Sequence, residues 1–148
     1  MTPVTADTLL KWLLRIVGGV ELCAIPFILI PLLWMDAVHD RVLGLGQLPH
    51  APVVEYMARS LSALYAVHGA VVFRLSFDID RFRPLVGFLG GVHVVLGLIV
   101  LCIDLSAGVP RWWTAGEGPG IAVGGVLVLI LTRIGERGRP VSGPPGAA

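Results

Sequence analysis

Four long apolar stretches separated by short polar segments set the pattern of this chain. The first runs from about 9 to 34, with 16–35 as its lipid-length part; the others cover about 53–77, 85–105 and 120–134. The last has an alternative start near Thr114. None shows the period of two expected of a barrel strand. A segment surrounded by lipid must pair its backbone N–H and C=O groups internally, so each run predicts a helix. Roughly 20 mostly apolar residues cross a hydrocarbon core. The pattern predicts an all-α fold. One domain of four transmembrane helices fills residues 1–134, and a disordered cytoplasmic tail follows at 135–148.

The polar breaks agree. "DAVHDRVLGLGQLPHAP" (36–52) is rich in Gly and Pro. "SFDIDRFRP" (76–84) reads as a short turn, with Asp80 as the expected cap of the third helix and Pro84 in its first turn. "SAGVPRWWTAGEGPG" (106–120) reads as a loop whose Trp112 and Trp113 suit the membrane–water interface.

Composition sharpens this picture. The chain is 55% hydrophobic and only 14% charged, against about 25% charged in soluble domains. Net charge is +1, and no basic cluster interleaves with aromatics, so nucleic-acid binding has no support. Lys11 and Arg15 precede the first run as in a signal peptide. Glu21, Pro26 and Pro31 interrupt that run and no small-x-small cleavage site follows, so a retained span is expected. Cys23 and Cys102 are too few for a disulfide framework. Their depths differ by roughly 10 Å at 1.5 Å per residue, which argues against a bridge.

Eight Lys and Arg residues fall on the side of the termini and the 76–84 turn, and Arg41 and Arg111 fall on the other. The positive-inside rule then places both termini in the cytoplasm of a multi-pass cell-membrane protein, in the inner membrane if the source is bacterial.

Ionisable groups inside such runs are costly, so each needs a reason. In the second run Ala58, Ser62, Ala66 and Ala70 form a small-residue stripe. Glu55 lies on it and Arg59 beside it, four residues on, where the two can pair. An interfacial ion pair that locks the helix against a neighbour is the first reading. The alternative is an anion or headgroup site built on Arg59, with Tyr65 as a hydrogen-bond donor. His68 points roughly 140° from the stripe at 100° per residue, so a different neighbour or lipid is expected there. In the third run Gly87 and Gly91 stand at GxxxG spacing, and His93 falls on the side of Gly90, Gly97 and Asp104. Gly120 and Gly124 repeat the spacing in the fourth run. These small-residue faces are candidate contacts for a second copy or a partner membrane subunit.

Glu21 sits near mid-span with no cation one turn away on its own helix. Glu21, His68 and His93 all lie within about one and a half turns of the midplane, at about 5.4 Å per turn. A proton relay, a metal site and a haem site stay open for them. No HxxxH spacing supports a metal, so none is assigned. GxSxG, CxxC, HExxH and Walker patterns are missing, and no catalytic residue is predicted.

The proline-bearing first span, "ARSLSALYAVHG" (58–69), "SFDIDRFRP" (76–84) and the short final span resemble the DoxX-like superfamily and related small four-helix bacterial membrane proteins. The resemblance covers all four spans at the level of architecture. For some members it implies a quinone-linked oxidoreductase subunit. It brings no catalytic residue with it.

The leading expectation is a structural, accessory or interaction subunit without a catalytic centre or cofactor. One alternative is a redox subunit with haem or quinone at His68 and His93. The other is a proton-coupled carrier using Glu21.

Overall fold

Helices form wherever the apolar runs predict them, and the computed structural model, which describes residues 2–137, contains no strand among them. α1 (Pro3–Leu22) begins at Thr2, whose hydroxyl accepts the Thr5 N–H, with Pro3 in the first turn where no N–H is needed. Two short helices continue it, α2 (Ile25–Leu29) and α3 (Leu32–Ala37), then one turn of π-helix (Val38–Val42). α4 (Pro52–Leu75), α5 (Ile79–Ala107) and α6 (Arg111–Arg137) complete the chain.

α1 lies between α4 and α6, and α5 packs along α6. α4 and α5 touch only thinly, which leaves a seam between them. Neighbours run antiparallel: Arg15 of α1 reaches Ser76 after α4, while Gly18 meets Gly69 and Phe73. Likewise Gly90 of α5 meets Gly125 of α6, and Gly97 meets Gly118.

The apolar core gathers at the end where the N-terminus lies. It joins Ala6, Leu10 and Leu14 of α1, Val72 and Leu75 of α4, Ile79 and Val86 of α5, and Val128 and Leu131 of α6. The period of four in the α1 set continues to Gly18, a single stripe down one face. Many other large apolar side chains face outward, Leu64 and Phe88 among them. Pro3–Leu29, α5 and α6 are each long and apolar enough to cross a membrane. α4 is as long as a span needs but carries Glu55, Arg59, His68 and Arg74.

Several expectations need correction. The first run is not one helix to Trp34. It breaks at Cys23–Ala24 and again at Ile30–Pro31, because Pro26 and Pro31 have no N–H to donate back along the helix. Asp78, not Asp80, caps α5 by accepting the Arg81 N–H. The 106–120 segment is not a loop, for only Gly108–Pro110 turn and α6 already starts at Arg111. Gly108 ends α5 at φ 69°, a left-handed cap that glycine adopts without strain. The fourth helix is therefore not the shortest, at 27 residues. Residues 135–137 of the expected tail are its last turn, and 138–148 lie outside the described residues.

The packing glycines also differ from those at GxxxG spacing. A Cβ on Gly91, Gly120 or Gly124 would meet open space, whereas one on Gly97 would stand 2.5 Å from the Gly118 carbonyl oxygen. The contact face of α5 is Gly90, Gly97 and Asp104, a spacing of seven. On α4 it is Ala66, Gly69 and Val72; Ala70 of the expected stripe is exposed.

Candidate ligand site between three helices

The close approach of α1 and α4 positions the first pair. A Cβ on Gly69 would stand 2.7 Å from the Glu21 Cβ and 2.8 Å from the Gly18 carbonyl oxygen. With no side chains at the crossing, Glu21 comes level with the residue before Gly69. That residue is His68, and its Nδ1 lies 2.7 Å from Glu21 Oε2. His68 therefore meets α1, not lipid alone.

α5 supplies the third group. His93 sits with its Cβ 3.0 Å from where a Gly125 Cβ would stand, so the bare backbone of α6 makes room for it. Its ring lies 5.1 Å from the His68 ring, inclined at 60°. His93 Nδ1 is 2.7 Å from the Leu89 carbonyl oxygen one turn back. Glu21, His68 and His93 each bring a ligand-type atom, and the three atoms lie within 4.8 Å of one another. Depth along the chain placed these residues at one level; the helix rotations bring them face to face.

Hydrogen bonding sets the tautomers. A carbonyl oxygen only accepts, so His93 Nδ1 donates the proton and Nε2 keeps a lone pair. An ionised Glu21 likewise accepts from His68 Nδ1, which leaves Nε2 as that ring's free atom. All three residues are only partly buried, the Glu21 side chain at 16% exposure and that of His68 at 34%.

Two other candidates take different places. Arg59 pairs with Glu55 at 2.7 Å, as the four-residue spacing predicts. Its guanidinium also donates to the Ile28 carbonyl at 2.8 Å and reaches the Ile30 carbonyl at 3.4 Å. These are the acceptors that the proline breaks leave without a helical donor. Tyr65 is 37% exposed.

Sequence reading missed one polar cluster. Arg83 is 3% exposed and binds Asp7 at 2.8 Å, Asp80 at 3.1 Å and the Thr132 carbonyl at 3.4 Å. It ties α1, α5 and α6 together at the end of the termini. Its signal was present in "DIDRFRP", where Asp80 and Arg83 are three apart, but Asp7 is remote in sequence. Farther along α5, Asp104 is 6% exposed and its Oδ2 has no hydrogen-bond partner among the described residues. Trp113 Nε1 donates to Glu117 in the first turns of α6.

In this arrangement the two imidazoles do not stand as opposite axial ligands of a haem. Opposite axial ligands at a metal–nitrogen bond of about 2.0 Å put ring centres about 6 Å apart, with a porphyrin between them. Here the rings are 5.1 Å apart and tilted into contact.

No family model, curated protein or solved structure matches this chain.

Proposed function

We propose that this chain is a small four-span membrane protein with both termini cytoplasmic, and that it serves as a binding or accessory subunit through the Glu21–His68–His93 centre. Three helices of spanning length and hydropathy support the membrane reading. α4 is the fourth span in this reading. Its 24 residues reach about 36 Å at 1.5 Å per residue, and Arg59 and His68 are turned to partners on the first span and the α2 segment. The eight-to-two distribution of Lys and Arg supports the orientation.

One observation carries the binding role. Arg59 and Arg83 are engaged with backbone carbonyls and carboxylates that hold helices together, though each leaves its Nε buried without a partner among the described residues. Glu21, His68 and His93 meet from three helices, yet both Nε2 atoms have no partner among the described residues. The convergence of three ligand-type atoms from α1, α4 and α5 to within 4.8 Å of one another supports a binding role.

Thermal unfolding in mild detergent tests this division of labour. Arg83→Met is expected to lower the Tm sharply, while Glu21→Gln and His93→Leu leave it nearly unchanged. A drop in both triad variants as large as that of Arg83→Met would make the triad a packing device and end the binding reading.

A further inference from the structure

We propose that Glu21, His68 and His93 bind one divalent first-row transition metal ion, of the zinc or cobalt type. The inference rests on reading this centre as a binding site, and it names the ligand class.

The donor set comes first. Two neutral imidazoles and one carboxylate are nitrogen and oxygen donors that suit zinc, iron, cobalt or copper better than magnesium or calcium, which prefer all-oxygen shells. Both rings are held through Nδ1, by Glu21 Oε2 and by the Leu89 carbonyl, each at 2.7 Å. Metal-bound histidines are held in this way: the ring N–H away from the ion bonds to a carboxylate or a backbone carbonyl, which fixes the tautomer. Nε2 of both rings is thereby a lone-pair donor without a proton to lose.

Spacing comes second. The three ligand-type atoms lie within 4.8 Å of one another. Ligands 2.0–2.1 Å from a tetrahedral ion are about 3.4 Å apart, so the three groups must draw together to close on an ion. Side-chain rotation supplies that without moving a helix. Glu21 serves either as the third ligand through a carboxylate oxygen or as the group that orients His68, and its loss weakens binding in both cases. With two or three protein ligands, at least one coordination position stays open for water or an exogenous ligand. The thin α4–α5 contact and the partial exposure of all three residues give the ion a way in.

The helix positions explain why no metal motif is visible in the sequence. The donors come from α1, α4 and α5, at separations of 47 residues between Glu21 and His68 and one more helix to His93. A short-range spacing such as HxxxH has no reason to appear.

The test uses the full chain, purified in mild detergent through a tag without histidines and stripped with a chelator. Cobalt(II) titration read by visible absorption is expected to saturate at one equivalent, and zinc(II) is expected to displace it. One equivalent of zinc should raise the Tm of the parent chain and not that of His93→Gln or His68→Gln. Glu21→Gln should weaken zinc binding about 10- to 100-fold. His39→Gln is the control, because His39 is held by the Gly46 carbonyl in the loop away from the triad. Magnesium and calcium should have no effect. Binding that persists unchanged in both triad histidine variants, or a parent chain that takes up no cobalt or zinc, overturns the proposal. A failure of metal uptake with Glu21→Gln and His93→Leu still as stable as the parent would reject the metal and keep the binding centre.

Discussion

Gly18 of α1 and Gly69 of α4 meet backbone to backbone, and a Cβ on Gly18 would stand 2.7 Å from the Gly69 carbonyl oxygen. Nothing but glycine on both helices permits that distance. It sets the first edge of the ligand site, because Glu21 and His68 stand beside the crossing. Gly69→Ala is therefore expected to destabilise the protein by about 1–3 kcal/mol, the range for overpacking a tight contact. It should also weaken cobalt binding. Gly19→Ala, where a Cβ meets open space, should leave both unchanged. Denaturation in mixed detergent, run beside the cobalt titration, checks the pair.

The α5–α6 contact makes a sharper comparison within one sequence pattern. Gly97→Leu and Gly118→Leu each drive a side chain into the opposite backbone. Gly91→Leu and Gly120→Leu place theirs in open space. The first two should lose folded yield and Tm together, and the second two should behave like the parent chain. Equal effects in both sets would show that helix propensity, not packing, controls the response.

Arg83 is the most buried charge among the described residues. Removing its head group leaves Asp7 without its partner and takes a donor from the Thr132 carbonyl. The carboxylates that remain are partly exposed, Asp7 at 32% and Asp80 at 68%, so Arg83→Met should lose about 1–3 kcal/mol, the range for hydrogen bonds to charged groups. Asp7→Asn keeps an acceptor for the guanidinium and should lose less. Chemical denaturation of the two variants gives the order.

Arg59 and Glu55 are expected to differ although they form one ion pair. The pair itself is partly exposed, with 34% and 42% of the side chains accessible, and contributes little by itself. The bonds from Arg59 to the Ile28 and Ile30 carbonyls hold the broken end of the first span. Arg59→Leu should therefore be more damaging than Glu55→Gln, by about 1–2 kcal/mol for the lost bonds to carbonyls. Limited proteolysis in the 24–31 region should rise in Arg59→Leu alone.

Much of the helical architecture was legible because lipid-compatible runs admit one backbone solution. Their apolar length and the polar breaks located α4 to within two residues, while α1 and α5 begin six residues and α6 nine residues before the predicted runs. The 106–120 segment was misread for a physical reason. Gly116, Gly118, Pro119 and Gly120 carry low helix propensity, and the close packing of Gly118 on α5 overrides it. GxxxG spacing pointed to the wrong glycines in α5 and α6, because antiparallel helices that stay together over several turns repeat contacts every seven residues.

The sequence by itself determined which residues had to be explained. A carboxylate and two histidines in apolar runs are costly wherever they point, and residue counting put all three near one depth. Only the tertiary structure decided that they meet. Rotation about each helix axis is set by the glycine contacts at Gly18–Gly69 and Gly90–Gly125, which are invisible until the helices are paired. The same holds for Arg83 and Asp7, separated by 76 residues and joined because α1 and α5 both pack against α6. Composition and periodicity report the medium and the depth of a residue. Partners across helices follow from rotation, and rotation follows from close packing.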